Sequence, residues 1–491
     1  MRRRCGFVVI CLFLILLCVS EAIATVSNDD TVTLKIYFSD SGRDVSDAPL
    51  VNDAINAYIE PILGFRVEIE FLRDYNYSQT VAQKFLSKED FDILYCKSYS
   101  DMCYQSGEGW LLPLDDLVSE HAEAFSALFP EDFLRNIRIE GKLYGLPAYR
   151  EQASNYGVGY NLSIAQECGI DMSQVTSYKD LTQIFESIRE KRPDVIPYVD
   201  ATMASWNSWD KLGDELGVLM DINSAEVSNV YESEEFLEFV QQMYAWNKAG
   251  YVLDIQSYSS TTADYLGSGQ IFCSIYIGKP DIVSQEQRIT GVNMGYVPLS
   301  AAVATTDNID RSFTAINASS RYPVQAMQFI NMMYSDPALA NLIVYGIEGL
   351  HYEFKNADRT VIGFPQGVTT HSSHYAKLIS WQYCNETLTY AWEGASPDIW
   401  DELEEFNRTA QKSIAFGFRF DPAPVAAKVE ACRVAQSTYR NGLVQGQLDP
   451  ETYLPEFLDA LEDAGIDEVI SEKQRQLDEW LLSQNATNGM S

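Results

Sequence analysis

Two tryptophans lie close together in a polar stretch of the sequence, SWNSWD, with a carboxylate beside them. They are Trp206 and Trp209, three residues apart, and Asp210 follows directly. Flat aromatic rings pack against the C–H faces of sugar rings, while carboxylates, amides and guanidinium groups bind hydroxyls. No apolar run surrounds the two tryptophans, so we favour a position in a ligand cleft over local packing at the surface.

A second group of aromatic and polar residues lies between residues 381 and 393. Trp381 precedes Asn385 by four residues, and Trp392 stands next to Glu393 in LTYAWEG. These residue types suit binding of a polyhydroxylated ligand. Packing in a helical core explains the same spacing equally well, and the sequence leaves both interpretations open.

The stretch GKLYGLPAYR, residues 141–150, ends in an aromatic residue and an arginine. Pro147 has no amide hydrogen to give to a strand ladder, so a strand is predicted to end there. We expect Tyr149 and Arg150 to lie at a crossing between two parts of the fold and to face a ligand. The alternative is that Arg150 joins the two parts through an acidic partner.

Motifs for nucleophilic, phosphate-binding or metal-dependent chemistry are absent from the sequence. It contains no GxSxG, no GxxxxGK[ST], no CxxC and no HExxH. His371 and His374 are three residues apart and can share a helix face, but no third histidine lies near them. We therefore predict no metal ion and no cofactor.

The first part of the chain alternates between strand and helix patterns. Strands are predicted at 31–38, 65–72 and 91–95, and helices at 47–62 and 78–86. This order is typical of a mainly parallel sheet, which binds ligands at the carboxyl ends of its strands. Ser39 and Asp40 after the first strand, and Lys97 and Ser98 after the third, are therefore candidate ligand contacts. Ser39 and Asp40 could equally start a turn or cap the next helix.

A second α/β unit is predicted from about residue 150 to residue 300. Its strands are predicted at 156–160, 271–277 and 291–298 and its helices at 177–191 and 234–249; a strand at 312–316, a helix at 323–333 and a largely helical C-terminal part follow. Hydrophobic cores stop growing at roughly 250 to 300 residues, so a chain of 491 residues needs at least two lobes. Without a Gly/Ser linker between them, we expect short crossing strands and a cleft between the lobes.

The N-terminus has the features of an export signal. Three arginines at 2–4 precede an apolar run at 6–20, and Ala22 to Ala24 supply small residues for cleavage. The run is shorter than the roughly 20 residues that span a bilayer. We predict a signal peptide at 1–24 and an extracellular protein; the alternative is a lipid anchor on Cys18, which Leu16 and Leu17 disfavour.

The mature chain is predicted to be strongly acidic. The sequence has 35 Lys and Arg against 70 Asp and Glu, and residues 1–24 contain three of the Arg and one of the Glu. The remaining 32 basic and 69 acidic residues give a net charge of −37. Such a charge repels nucleic acid and anionic lipid heads, so we expect a neutral or cationic solute, or a protein, as the partner.

Six cysteines follow the predicted signal peptide. An even number in an exported chain permits disulfides, but the six are widely scattered and most stand beside apolar residues. We favour buried thiols, with Cys96–Cys103 as the bridge to expect if one forms. The six are Cys96, Cys103, Cys168, Cys273, Cys384 and Cys432.

Several stretches, in this order, resemble the extracellular solute-binding proteins of bacterial ABC importers. WLLPLDDLV (110–118) and GKLYGLP (141–147) resemble the segments before the first crossing between lobes, and YNLSIAQECGID (160–171) resembles the strand and helix after it. Residues 316–352 resemble the return segment. FRFDPAPVAAKVEACRVAQSTY and LDPETYLPEFLDALEDAGIDEVISEKQRQLDEW resemble a C-terminal domain of one subgroup, which includes many lipoproteins of oligosaccharide transport.

The resemblance, which covers residues 30–482, implies an α/β fold: a two-lobed periplasmic-binding-protein-like clamshell with a largely helical C-terminal extension. We expect lobe I at 25–148 and 303–370 and lobe II at 149–302 and 371–491. The resemblance implies a monomer that closes on a solute, an oligosaccharide by preference, and delivers it to a membrane permease without catalysis. The sequence at Cys18 departs from the lipoprotein pattern. A secreted glycosidase with two facing carboxylates and a binding protein for peptides or a cationic solute remain alternatives.

Overall fold

The computed structural model describes residues 31–199, 209–253, 262–370, 372–375, 380–383 and 385–488. Two β-sheets in these residues each carry a hydrophobic core, and the helices near the C-terminus have a further core. Below, the first half denotes the first sheet with its helices. The second half denotes the second sheet with its helices and the C-terminal helices.

Alternating or continuous apolar residues form the strands, as expected for sheets buried on one or both faces. The predicted strands coincide with β1, β2, β3, β5, β7, β8 and β10 of the following set, with small shifts at their ends. The strands are β1 Thr33–Ser39, β2 Arg66–Leu72, β3 Ile93–Ser98, β4 Leu146–Pro147, β5 Asn155–Asn161, β6 Ile196–Tyr198, β7 Ile271–Gly278, β8 Met294–Pro298, β9 Val303–Ala304, β10 Arg311–Ile316, β11 Glu353–Phe354, β12 Val361–Gly363, β13 Ala391–Trp392 and β14 Gln411–Lys412.

Polar caps begin many of the helices. Ser177 and Asp180 form the two halves of a capping box just before α8, and Ser233 accepts the amide hydrogen of Phe236 at the start of α9. The helices are α1 Ala48–Leu63, α2 Tyr77–Leu86, α3 Tyr99–Gly107, α4 Asp115–His121, α5 Glu123–Leu128, α6 Glu131–Leu134, α7 Leu162–Cys168, α8 Leu181–Lys191, α9 Glu234–Lys248, α10 Thr262–Gly267, α11 Ile282–Thr290, α12 Thr306–Ile309, α13 Pro323–Met333, α14 Pro337–Tyr345, α15 Ile399–Thr409, α16 Ala426–Val444, α17 Pro450–Ala464 and α18 Ile466–Asn488.

The first sheet has the strand order β2-β1-β3-β10-β4. β1 pairs in parallel with β2 and β3, as predicted, whereas β10 is antiparallel to both β3 and β4. Arg311 at the start of β10 is the partner of Ser98 at the end of β3. The carboxyl ends of β1, β2 and β3 therefore share one sheet edge with the start of β10.

The second sheet has the strand order β6-β7-β5-β8. It is mixed, because β6 and β7 are parallel while β5 is antiparallel to β7 and β8. Asn155 at the start of β5 is the partner of Gly278 at the end of β7, so these two positions share a sheet edge. Gly159 in β5 leaves room for the Tyr276 ring, since an added Cβ would lie 2.4 Å from that ring.

The C-terminal helices α16, α17 and α18 belong to the second half. Side chains of these helices share one core with Phe236 and Val240 of α9. A small sheet of β11, β12 and β13 precedes them. The largely helical part predicted for the C-terminus therefore begins at α15, and the segment before α15 contributes short strands instead.

The predicted lobe boundary at residue 371 remains a prediction. Tyr375 and Tyr383, which follow it, pack in the core of the first sheet. His374, of the predicted histidine pair, contacts Asp44 of the same half with 3.0 Å between Nδ1 and Oδ2, while His371 lies outside the described residues. In the described ranges, no helix is long and apolar enough to cross a membrane.

Cys96 and Cys103 are both free, so the bridge considered between them is not formed. Cys96 is buried in β3, and its Sγ donates a hydrogen bond to Gln105 at 3.3 Å. Burial raises the pKa of the Cys96 thiol, which keeps it protonated. The interpretation as buried thiols is confirmed for Cys96, Cys168, Cys273 and Cys432, whereas Cys103 is half-buried and Cys384 lies outside the described residues.

Replacing Gly159 by Ala should destabilise the second half. The new methyl group would overlap the Tyr276 ring, and overpacking of this kind costs about 1–3 kcal/mol. The matched control is Gly107→Ala at the end of α3, where an added Cβ meets nothing within 4 Å. A urea midpoint that falls for Gly159→Ala but not for the control supports this packing; equal midpoints for the two variants contradict it.

Candidate functional site

The two halves meet where strands of both sheets end. The carboxyl ends of β1, β2 and β3 and the start of β10 form one edge, and the end of β7 and the start of β5 form the other. Ligands of α/β folds bind outside the carboxyl ends of strands. Lys279, which directly follows β7, reaches across and contacts Glu386. The space between the two edges is called the cleft below.

Arg150 lies in the cleft on the chain that leaves β4. Its side chain is buried, and its guanidinium donates hydrogen bonds to Glu151 Oε1 and to the Asn308 carbonyl, each at 2.7 Å. The guanidinium carbon is 5.6 Å from the centroid of the Trp381 ring, a favourable cation–π position. Two segments of the chain cross between the halves: residues 148–154, the first crossing, and residues 299–310, the second crossing. Arg150 thus connects the two crossings to each other and to the 380–383 segment.

Tyr149 and Asn385 are brought together beside Arg150. The Tyr149 ring packs edge-on against Phe129, and the Tyr149 carbonyl accepts a hydrogen bond of 2.9 Å from the Glu386 amide. Asn385 is buried, and its Oδ1 accepts from the amide and hydroxyl of Thr387. Asn385 therefore holds the backbone that presents Glu386 to the cleft.

Lys279 lies between two carboxylates at the centre of the cleft. Its Nζ is 3.3 Å from both Glu151 and Glu386, and Ser380 donates to the same Glu386 oxygen at 2.7 Å. Burial alone would lower the pKa of Lys279, but Glu151 and Glu386 outweigh it and the pKa rises. Burial raises the pKa of Glu386, and Lys279 opposes that rise.

A polar cavity of about 150 Å³ lies beside Arg150, Glu151 and Lys279, all of which line it. Tyr156 and Trp209 line it, together with the charged residues Lys211, Asp307 and Arg311. Arg311 is exposed at this cavity, and in the described part of the chain the side chains of Arg311 and Asp307 form no hydrogen bond or ion pair. Burial raises the pKa of Asp307, with Lys211 and Arg311 opposing the rise.

Ser39 and Asp40 lie at the cleft edge, as their place after β1 predicted, but contacts within the first half engage both side chains. Asp74 joins them, because it accepts a hydrogen bond from the Ser39 hydroxyl at 2.7 Å and donates its amide to Asp40 at 2.8 Å. Lys97 pairs with the same Asp74 at 2.9 Å, and Ser98 caps α3. These contacts correspond to the turn-and-cap interpretation.

Trp209 lines the cavity, and its ring also packs against the core of the C-terminal helices. The adjacent Asp210 is completely buried, and its Oδ1 accepts the amide hydrogen of Leu212 at 3.0 Å. Burial raises the pKa of Asp210. Asp210 therefore closes a tight turn, while Trp206 lies outside the described residues.

Trp392 and Glu393 lie apart from the other predicted site residues. The Trp392 ring is buried, with the Phe364 ring centroid at 4.9 Å and the Arg288 guanidinium at 5.2 Å. Glu393 is exposed, and both residues line a separate open cavity of about 620 Å³. Trp392 therefore packs in a core, but it lies in the strand β13 and not in the helix that the alternative interpretation supposed.

Sequence reasoning missed the charged residues that contribute most to the cleft. They are Glu151, Lys279, Asp307, Arg311 and Glu386. Two of them had a usable signal, because Lys279 stands two residues after a predicted strand and Arg311 directly precedes one. The rule that selected Ser39 and Asp40, position after the carboxyl end of a strand, would have found Lys279. Arg311 begins a strand, and it would have been found only if β10 had been known to be antiparallel to β3.

The comparisons with known proteins agree with this geometry. The sequence pattern of the bacterial extracellular solute-binding protein family matches residues 64–347, more than half of the chain, and a domain of unknown function matches residues 414–482. A carbohydrate ABC transporter substrate-binding protein of Streptococcus pneumoniae is 24% identical over 463 residues, which cover 92% of this chain and 91% of the relative.

Crystal structures of the N-glycan transport solute-binding protein NgtS of Streptococcus pneumoniae have a similar fold. One is 22% identical with a TM-score of 0.82, and the alignment covers 92% of this chain and 99% of that one. A second, in complex with Man5GlcNAc, gives a TM-score of 0.74 at 22% identity with the same coverage. The predicted periplasmic-binding-protein-like fold with its helical C-terminal extension is confirmed.

The sequence match also confirms the resemblance on which the prediction of a binding protein rather than an enzyme was based. The fold, the cleft between the two sheet edges and the match over residues 64–347 support the same family assignment. The chain belongs to the bacterial extracellular solute-binding protein family.

Proposed function

We propose that the chain captures an oligosaccharide in the cleft and delivers it to the permease of an ABC transporter. The observation that carries the proposal is the pair Asp307 and Arg311 beside the Trp209 ring in the cavity. A sugar hydroxyl both donates and accepts hydrogen bonds. A carboxylate and a guanidinium that make no hydrogen bond or ion pair within the described residues therefore suit it. The Trp209 ring offers a flat face to the ring of the sugar.

The similar proteins support a sugar as the solute. The curated relative is a carbohydrate ABC transporter substrate-binding protein, and the pneumococcal NgtS structure contains Man5GlcNAc. Both alignments include nearly the whole of this chain and of the other. The two identities, 24% and 22%, are low enough for the bound oligosaccharide to differ.

Closure of the two halves would complete the site. In this proposal, lobe I comprises 25–148 and 303–370 and lobe II comprises 149–302 and 371–491, with Tyr375 and Tyr383 of the latter segment contacting the lobe I core. An open form binds solute on one lobe, and the second lobe then closes over it. Glu386 follows residue 371 in sequence, but its segment is bonded to Met333 of the first half through the Asn385 amide. The ion pair of Lys279 with Glu386 therefore joins the two halves and favours the closed form.

The place of action follows from the same proposal. Residues 1–24, outside the described part, would direct export, and the mature protein would work at the outer face of a cell membrane. A lipid on Cys18 is the alternative way to keep it there. In either arrangement the protein would act as a monomer that meets its permease at the membrane.

A thermal-shift screen of the mature chain, residues 25–491, tests the proposal. Plant and host oligosaccharides, peptides and polyamines are added in turn, and chromatography then shows whether each sugar is recovered intact. A bound ligand stabilises only the folded state, so a sugar at many times its Kd should raise the unfolding temperature. Intact recovery with a shift supports a binding protein for oligosaccharides.

Other outcomes of the screen contradict the proposal. A sugar that is cleaved would indicate the secreted glycosidase that the sequence left open. A shift with peptides or polyamines and none with any sugar would indicate the other alternative, which the acidic net charge of −35 for the whole sequence suits.

Replacing Arg311 by Met should weaken binding of the sugar found in the screen. The variant keeps most of the aliphatic stem but loses the donors, and hydrogen bonds to charged groups contribute about 1.5–3 kcal/mol, or roughly 10- to 100-fold in Kd. Arg321→Met is the matched control, because Arg321 pairs with Asp90 on the exposed surface. If calorimetry gives both variants the wild-type Kd, Arg311 does not contribute to binding of the sugar.

Replacing Asp281 by Asn should stabilise the protein above pH 7 more than below it. Asp281 lies in the cleft two residues after Lys279, and burial raises its pKa to about 7 despite Lys279 and Arg288. Above that pH the folded wild type holds a buried charge. As the pH falls from 7 towards the unfolded value of about 3.9, protonation in the folded state restores stability to the wild type.

The advantage of Asp281→Asn should therefore be on the order of 1–3 kcal/mol at pH 8.5 and smaller at pH 5. Urea denaturation at the two pH values measures it, with Asp53→Asn on the exposed face of α1 as the control. Asp281 has a φ of 67°, which Asn also tolerates well, so part of the gain is independent of pH. An equal gain at both pH values would contradict the buried charge.

A further inference from the structure

A segment near the C-terminus lies across the crossing between the two halves. This segment, residues 411–420, is called the strap below. Its first residues form β14, which pairs in parallel with β9 of the second crossing. β9 is in turn joined to Ser154 of the first crossing, because Ser154 and Val303 exchange two backbone hydrogen bonds of 3.0 and 2.9 Å. Three passes of the chain therefore lie side by side between the halves.

Two residues of the strap contact the second half, one through a hydrogen bond and one through packing. The Ile414 amide donates to the Ile222 carbonyl at 2.8 Å, and Phe418 packs in a small core with Leu212 and Leu477. The helices that follow the strap are fixed to the same half. Lys473 of α18, completely buried, donates to Asp214 at 2.6 Å and to the Gly217 carbonyl at 3.1 Å.

Other residues of the strap contact the first half. Phe416 packs against the core of the first sheet. Gly417 has a φ of 97°, and a Cβ there would lie 2.3 Å from Asn136 Oδ1, so the backbone approaches the first half very closely. The Gly417 amide also donates to the Thr306 hydroxyl at 2.9 Å, just before β10.

Arg419 makes charged contacts with the first half and with the segment that enters it. Its guanidinium lies 3.8 Å from the centroid of the Tyr99 ring, forms an ion pair with Asp310 and donates to the Asn136 carbonyl. Tyr99 begins α3 directly after β3, and its amide donates to the Asp310 carbonyl at 2.9 Å. All the partners of Arg419 therefore belong to the first half or to the crossing segment that enters it.

We propose that the C-terminal domain, which matches a domain of unknown function over residues 414–482, is the third part of the hinge between the two halves. The first and second crossings are the other two parts. The C-terminal domain is fixed to the second half through α16–α18, and through Arg419 and the strap it holds the first half and limits how far the two halves open. Any rotation of the halves must either turn about this contact or separate Arg419 from Tyr99 and Asp310. This inference goes beyond the binding of solute and does not depend on which solute is bound.

Small-angle X-ray scattering and amide hydrogen exchange of the mature chain without added solute test the inference. Arg419→Ala should increase the radius of gyration, because the halves open further. The amides of Ser413 and Gly417, which are bonded to Ala304 and Thr306, should exchange roughly tenfold faster once the charge-assisted contact is lost. Arg408→Ala is the matched control, since Arg408 is exposed and pairs with Glu405 of its own helix.

The result that overturns the inference is a folded Arg419→Ala variant with the radius of gyration and the strap exchange rates of the control. Far-ultraviolet circular dichroism establishes that the variant is folded. If it is not, Arg419→Lys replaces it, because Lys keeps the charge but loses the planar fork and its stacking on Tyr99. Arg419→Lys should change both readings in the same direction, and a lysine variant equal to the control would contradict the inference.

Discussion

A buried lysine between two carboxylates is the interaction on which the arrangement of the cleft depends. Lys279 comes from the end of a strand of the second sheet, Glu151 from the first crossing and Glu386 from a segment held on the first half. A charge in such a place is costly unless it is paired. Bringing the two sheet edges this close would therefore leave a costly unpaired charge on Lys279 if Glu151 and Glu386 did not meet it.

The strand ends explain why these charges gather in one place. Parallel strands bring their carboxyl ends to one sheet edge, and an antiparallel strand brings its first residue to the same edge. Lys279 lies in the cleft because it follows the carboxyl end of β7, and Arg311 lies there because it begins the antiparallel strand β10. Arg150 reaches it because Pro147 ends β4 and the chain then leaves the first sheet. The cleft is thus a consequence of topology more than of any local motif.

Much of the fold could be predicted from sequence, because β1, β2 and the helix between them have clear apolar periods. Pro147 marked the end of β4 in the sequence. The strands β9 and β14 could not be predicted, since a strand of two residues shows no apolar period and their pairing depends on distant segments. Site residues could be predicted only where they stand directly after a predicted strand. Tyr149, Arg150, Trp381 and Asn385 do come together, but spacing could not distinguish the buried ring of Trp392 from a ring in a cleft. Glu386 lay outside any predicted strand or helix and had no signal.

The most direct test of the account is hydrogen exchange of the mature chain with and without the oligosaccharide that stabilises it. The account predicts slower exchange at both cleft edges together, in residues 305–311 and 385–389 on the side of the first sheet and in residues 148–156 and 277–282 on the side of the second. Closure over a solute must protect the two edges in the same experiment, because each contributes to the site. Protection of one edge alone, or protection confined to other parts of the chain, would contradict the account.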